Sequence, residues 1–281
     1  ALSEFIWLDK MESADKSALN SGIFMQVTIP KNSGNTRQFS EIEREQYTTT
    51  KDEGDQADRL AYQQGYTQTM TKKREAKDVG ITYEDINENK YPEVISKLTD
   101  MAVMPWNRVE LDLQMRISFY NATSYTDKDG NLITTTVGDG LAWGSTVHTV
   151  RASSATFRNI LANNPVFSKG SLISMGRMVK ENAIDQFGKK ITGIQFDILF
   201  TTDDENSIVL VSELLQSMGT TDTANPAIQN YFKYRYRHVV LTRVAIDATG
   251  AVDTTKRSLW GVASSKYCTA YIGWWEFPHN I

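Results

Sequence analysis

Three observations predict an α+β fold. From about Pro92 to about Asn121, apolar residues recur at three- and four-residue spacing, the mark of one long amphipathic helix. From Leu60 to Met70 apolar and polar residues alternate with period two, the mark of a strand. Further on, the apolar run Ile191–Thr202 meets Asp203–Asp204 and then a helical pattern, a strand–cap–helix order that belongs to a compact α/β layer.

Composition sets the limits. The chain has 281 residues, 40 % hydrophobic and 23 % charged, enough for one large domain or two ordinary ones with a real core. These proportions exclude wholesale disorder, collagen and a disulfide scaffold. The single cysteine, Cys268, excludes an intrachain disulfide and a thiolate metal cluster. No apolar run reaches the ~18–20 residues of a membrane span, and no membrane partner is expected. A net charge of -4 and a pI of about 5.5 lack the basic excess of a dedicated nucleic-acid reader. Ala1 to Lys10 have neither a basic n-region nor a long apolar h-region, so no signal peptide is expected. The missing initial Met fits either Met removal or cleavage of a longer leader.

Taken in order, the chain opens on an apolar patch, Phe5–Leu8, that needs cover, and then a turn at Asn20–Ser21–Gly22. Ile23, Met25, Val27 and Ile29 alternate as a short strand does, and Pro30 ends it. A polar outgoing segment, Arg37–Thr50, and the returning strand meet through a bend at Lys51–Asp55. On the return, Leu60, Tyr62, Tyr66 and Met70 share one face. The outgoing half is acidic (Glu41, Glu43, Glu45, Asp52, Glu53, Asp55, Asp58), and the returning half ends basic (Lys72, Lys73, Arg74, Lys77). A two-stranded ribbon with so few apolar side chains is marginal alone in water. Its edge also invites a foreign strand. The ribbon is therefore either a mobile surface loop or, the reading preferred, an arm completed by a neighbouring copy.

Pro92 fits a first helical position, and Ile95, Leu98, Ala102, Trp106, Val109, Leu113, Ile117 and Tyr120 form the apolar stripe of the long helix. Glu110, Asp112, Gln114 and Arg116 suit its wetter sides, and Pro105 predicts a kink or break. Asp127–Asn131 is a hairpin turn. Ser153 or Ser154 is expected to cap a short helix ending near Asn163–Pro165, and a further helix is expected from Leu172 to Phe187 with Gly188 as its stop. The expected late strands are His238–Ile246, Leu259–Ala263 and Tyr267–Phe277.

Catalytic patterns are absent. The histidines are His148, His238 and His279, and no H-x-x-x-H, C-x-x-C, G-x-G-x-x-G or P-loop spacing occurs. Ser145 lies near His148 without nucleophile-elbow spacing, so a hydrogen-bonded structural histidine is favoured. Asp203–Asp204–Glu205 reads as a helix cap in preference to a cation site. Lys233, Arg235 and Arg237 interleave with Tyr231, Phe232, Tyr234 and Tyr236, a composition that suits base stacking. The alternation favours an amphipathic strand there. For Lys72, Lys73 and Arg74 the preferred partner is an acidic segment of another chain. No catalytic residue, cofactor or metal is expected.

The order of elements resembles the major capsid protein of tailed bacteriophages, the Hong Kong ninety-seven type fold. The likeness covers nearly the whole chain and is carried by loose motifs. Glu53–Gly54–Asp55 in the polar arm resembles the family's extended loop, and Asp78–Asp85 resembles its approach to a spine helix. Gly138–Trp143 followed by His148 is similar to a segment of many such capsids. Val239–Leu241 with Leu259–Val262 resembles the strands that close the domain.

The resemblance implies an N-terminal arm (1–33), an extended β-hairpin loop (34–80), a peripheral domain with a long spine helix (81–139), an α/β axial domain (140–262) and a return to the peripheral domain (263–281). The implied function is structural, not enzymatic. Pentamers and hexamers of this chain would form an icosahedral virion shell, assembled in a bacterial host's cytoplasm, around double-stranded DNA held non-specifically. Portal, scaffolding and decoration proteins are implied as further partners. The implied inter-subunit contacts are Glu41, Glu43, Glu45, Glu53, Asp55, Leu60, Tyr62, Tyr66, Met70, Lys72, Lys73 and Arg74. An encapsulin-like compartment is the alternative on the same fold, disfavoured by the acidic loop. An unrecognised α/β enzyme is the other.

Overall fold

The computed structural model describes residues 14–44, 47–88, 90–218, 230–267 and 270–277. The apolar patch Phe5–Leu8, and with it Glu45, Cys268 and His279, lies outside the described residues. The α+β expectation holds: among the described residues, four α-helices accompany several small sheets.

The first strand, β1 (Phe24–Thr28), pairs in parallel with the last, β11 (Ala270–Trp274), from Phe24 opposite Ala270 to Thr28 opposite Trp274. The strand expected over Tyr267–Phe277 is thus shorter, because only Ala270–Trp274 find β1 as a partner. β2 (Thr36–Arg44) and β3 (Tyr62–Thr71) form the antiparallel ribbon.

A short helix, α1 (Tyr83–Asn87), precedes α2 (Tyr91–Ser118), whose 28 residues span roughly 42 Å. Pro105 lies inside α2 without breaking it. Ala102 and Trp106 beside it are buried, and this packing offsets the lost backbone hydrogen bond. Glu110 and Gln114, expected on wet sides, are fully buried. The Glu110 carboxylate accepts the Ala18 and Leu19 N–H groups, both at 2.9 Å, and Gln114 Nε2 at 3.0 Å. Gln114 Oε1 accepts the Arg243 N–H at 2.6 Å. These side chains take the place of water for backbone donors brought from distant sequence.

β4 (Ser124–Thr126) and β5 (Leu132–Thr134) flank the expected turn, with Gly130 at φ 82°. Residues 153–163 are not a helix. The Ser153 hydroxyl accepts from Ala155 N–H, β7 (Thr156–Phe157) pairs with β6 (His148–Thr149), and Asn163 and Asn164 have positive φ. α3 (Lys169–Asn182) carries a capping box between Ser168 and Ser171 and stops before the expected Phe187. Asp185 accepts the N–H groups of Phe187 and Lys189, closing a tight turn at Gly188 in place of a last helical turn.

β8 (Ile198–Thr202) is the hub of a three-stranded sheet, antiparallel to β10 (Trp260–Ala263) and parallel to β9 (Arg237–Leu241). Residues 191–197, expected to extend β8, lie outside it, and Thr242–Ala245 turn away from β9. Between β8 and β9 runs α4 (Glu205–Gln216), capped by Asp204, whose carboxylate accepts the Ser207 N–H. Alternate residues of β8 face two cores. Ile198 joins Leu19, Phe24, Trp106, Leu113, Ile117, Leu241 and Trp274. Leu199 joins Phe167, Leu172, Val211, Leu214, Leu215 and Phe232.

Candidate functional site

The ribbon is the candidate, and its two ends behave differently. Its base is built into the body. Phe39 stacks on Tyr271 of β11 at 5.0 Å, and Met70 lies against Gly273, where a Cβ would come within 2.6 Å of its sulfur. The pairing shifts between Ser40 and Ile42, a bulge that sets Glu41 opposite Gly65 and Tyr66. Gly65 is buried, and a Cβ there would lie 2.9 Å from a Glu41 carboxylate oxygen. Its carbonyl accepts from Arg151 Nη1 at 3.1 Å. Tyr66 crosses over Gly138, and its hydroxyl meets Thr149 Oγ1 at 3.1 Å.

On the other strand, Glu43 accepts the Gln186 N–H at 2.5 Å and Glu41 accepts Gln186 Nε2 at 3.3 Å. Burial pushes the Glu43 carboxyl up; the Gln186 N–H opposes this, and the neighbouring Glu41 and Asp185 carboxylates add to the rise.

Thr149 in turn rests on a buried pair. His148 Nδ1 lies 2.8 Å from Asp139 Oδ2 and its Nε2 lies 3.1 Å from the Trp143 carbonyl, while Thr149 N–H donates to the same Asp139 oxygen at 3.2 Å. Burial opposes ionisation of Asp139, yet the His148 bond and the N–H groups of Leu141 and Thr149 hold its carboxyl below the usual range. His148 is the buried, hydrogen-bonded residue that the sequence favoured, and it braces the floor under Tyr66.

A charged network holds the chain where it leaves the ribbon. Arg108 of α2 reaches Asp129 at 2.7 Å, Asp127 at 3.1 Å, and Glu75 and Asp112 at 3.3 Å. Lys73 lies 3.6 Å from Asp127, 3.7 Å from Asp112 and 3.8 Å from Glu75. Burial raises Glu75, with Asp112 adding to it. Burial also works against the Asp127 charge, but hydrogen bonds from Asn131 and the Asp129 N–H, with Lys73 nearby, bring its carboxyl down to about 2.

The far end is the opposite case. Residues 47–61 are exposed throughout. Within them Thr49 donates to Asp58 at 2.8 Å and the chain turns at Gly54. No hydrogen bond, ion pair or ring contact joins them to the rest of the described residues. Leu60 is 53 % and Tyr62 68 % exposed.

The residues expected at inter-subunit contacts therefore divide. Glu41, Glu43, Tyr66, Met70 and Lys73 meet their own chain, Lys73 through Glu75, Asp112 and Asp127. Lys72 donates its N–H to the Asn35 carbonyl at 2.8 Å. Glu53, Asp55, Leu60, Tyr62 and Arg74 stand in the open. Sequence reasoning missed Arg108, Arg151 and Gln186, for which the i,i+4 spacing of Arg108 and Asp112 was the one available signal, while Asp139 lies in the Gly138–Trp143 segment that it singled out with His148.

Among the described residues, no group of three or more His, Cys, Asp or Glu side chains is placed to hold a metal ion, and no helix is long and apolar enough to cross a membrane. Comparison with protein-family models, with curated proteins and with solved structures finds no match for this chain.

Proposed function

We propose that this chain is a structural shell subunit, the major head protein of a tailed bacteriophage with the Hong Kong ninety-seven type fold, tiling an icosahedral capsid around double-stranded DNA. One observation carries the reading: a ribbon fixed at its base ends in residues 47–61, which have exposed Leu60 and acidic side chains and no partner in the rest of the described chain. Ordering such a segment costs conformational entropy that its own side chains do not offset. Contacts on sister copies would offset it.

The rest of the molecule supports the same reading. On this reading the long α2 would be the spine helix, the β8–α4–β9 layer part of the axial domain, and residues 34–80 the extended loop. β11 returns to α2 through Trp274, edge-on to Trp106 at 5.8 Å, as a chain re-entering the peripheral domain requires. A net charge of -4 suits a wall that confines DNA without gripping it. Many moderate contacts in a closed shell add up to large total stability while single contacts remain reversible.

The test is direct. Purified chain, concentrated and followed by sedimentation velocity and negative-stain electron microscopy, is expected to form rings of five or six copies and closed shells of uniform diameter. A monomer at every concentration reached would overturn the reading.

A further inference from the structure

The turn that follows α4 is not the amphipathic strand its alternation suggested. Residues 231–235 form turns, and β9 starts only at Arg237. Its root is fastened to the helix. Asn230 Nδ2 donates to the Leu214 carbonyl at 2.5 Å and to Ser217 Oγ at 2.9 Å, satisfying acceptors at the helix end, while its Oδ1 takes the Phe232 N–H at 3.0 Å. Phe232 is buried among Val211, Leu214 and Leu215.

What lies above this root faces outward. Tyr231 is 69 % and Tyr234 86 % exposed. Tyr234 has φ 58°, a left-handed conformation costly for a bulky residue. The Arg235 guanidinium sits over Tyr231 at 4.7 Å and beside Tyr236 at 5.7 Å, and Lys233 Nζ lies 5.0 Å from the Tyr234 ring. The result is a knob of two cations and three tyrosines.

The other end of α4 has the opposite character. Asp203 and Glu205 are exposed there, with Val209 49 % exposed one turn along, and no Lys or Arg occurs from Asp203 to Gln216. None of the ion pairs among the described residues involves Asp203, Glu205, Lys233 or Arg235.

We infer that the Lys233–Tyr234–Arg235 knob of one copy docks on the Asp203, Glu205 and Val209 face of α4 in the next copy, a head-to-tail contact. The inference rests on the shell reading and names the partner surface within a ring. Charge and side-chain chemistry both match: two cations set in aromatic rings are complementary to two carboxylates beside an exposed aliphatic side chain, and Tyr and Arg are the residues that dominate such interfaces. The two surfaces lie at opposite ends of a rigid helix roughly 18 Å long, so one copy cannot join them to each other. A contact between unlike surfaces propagates from copy to copy and closes into a ring when the rotation allows.

Charge exchange tests it on the full chain. Lys233→Glu with Arg235→Glu, and separately Asp203→Lys with Glu205→Lys, are each expected to lower the assembled fraction at least tenfold with the melting temperature preserved. The four changes together are expected to restore assembly to the unaltered level. The milder Lys233→Gln with Arg235→Gln pair provides a second reading, with assembly weakened and less sensitive to salt. Unchanged assembly in both one-sided variants, or no restoration in the fourfold variant, overturns the inference and leaves the shell reading standing. Failure of the unaltered chain to assemble overturns both. If a labelled single-stranded oligonucleotide binds the unaltered chain, and Lys233→Glu with Arg235→Glu abolishes that binding while assembly is unchanged, the knob is a nucleic-acid surface and the inference falls.

Discussion

The surroundings of Glu110 and the tip of the ribbon treat acidic side chains in opposite ways. Glu110 is 0 % exposed, and its carboxylate has three donors, two of them backbone N–H groups more than ninety residues away in sequence. Glu53 and Asp55 at the tip are open to water, as is Leu60 nearby. One region has turned a buried carboxylate into a partner for distant backbone donors. The other leaves both its charges and its apolar surface open. The difference separates what makes this chain fold from the segment that the proposed reading assigns to contact with another copy.

The contrast can be broken most forcefully at Glu110. Glu110→Ala strands two buried N–H groups, and a loss of about 3 kcal/mol in urea unfolding is expected. A loss below about 1 kcal/mol would show that the carboxylate does not close the core as described.

A smaller effect follows pH. Asp127 sits at about 2, below the ordinary 3.8, so its contribution to stability is complete above about pH 4 and is lost as the pH falls toward 2. Glu43 has the opposite sign. Its carboxyl is raised above 4.5, so protonation favours the folded base, and this stabilisation is gained as the pH falls from neutral through its raised value toward 4.5. The Glu43 carboxyl carbon, followed by NMR, should therefore titrate above the ordinary value of 4.5 while the Asp127 turn is unaffected. A midpoint at or below that value would reverse the assignment.

The least change in stability is expected at the tip. Replacing residues 47–61 by an Asn-Gly turn should move the unfolding free energy by less than about 0.5 kcal/mol and yet abolish shells in micrographs. Shells of normal yield would show that the open tip is not the assembling element.

Much of this organisation is legible in the sequence because it follows from local spacing. The ribbon, the 124–134 hairpin, α2 and the Asp204-capped α4 all declare themselves by periodicity and turn chemistry. What escapes are choices made by distant partners. Glu110 and Gln114 look like surface residues until Ala18, Leu19 and Arg243 arrive. The Lys–Tyr–Arg–Tyr alternation imitates a strand, but Asn230 pins its root to α4 and Phe232 turns inward. Ser153 prefers its own neighbour's N–H to a helix. For the candidate site, the ribbon was legible as an element and its anchorage was not, since Arg151 and Gln186 reach it across long stretches of chain.

The parallel pairing of β1 with β11 sets the order of events during synthesis. Residues 24–28 leave the ribosome early and wait, without a strand partner, for residues 270–274, which emerge long afterwards. Until then Trp106 lacks the indole of Trp274. A polypeptide stopped short of β11 thus leaves β1 without its ladder and α2 without an indole it packs against.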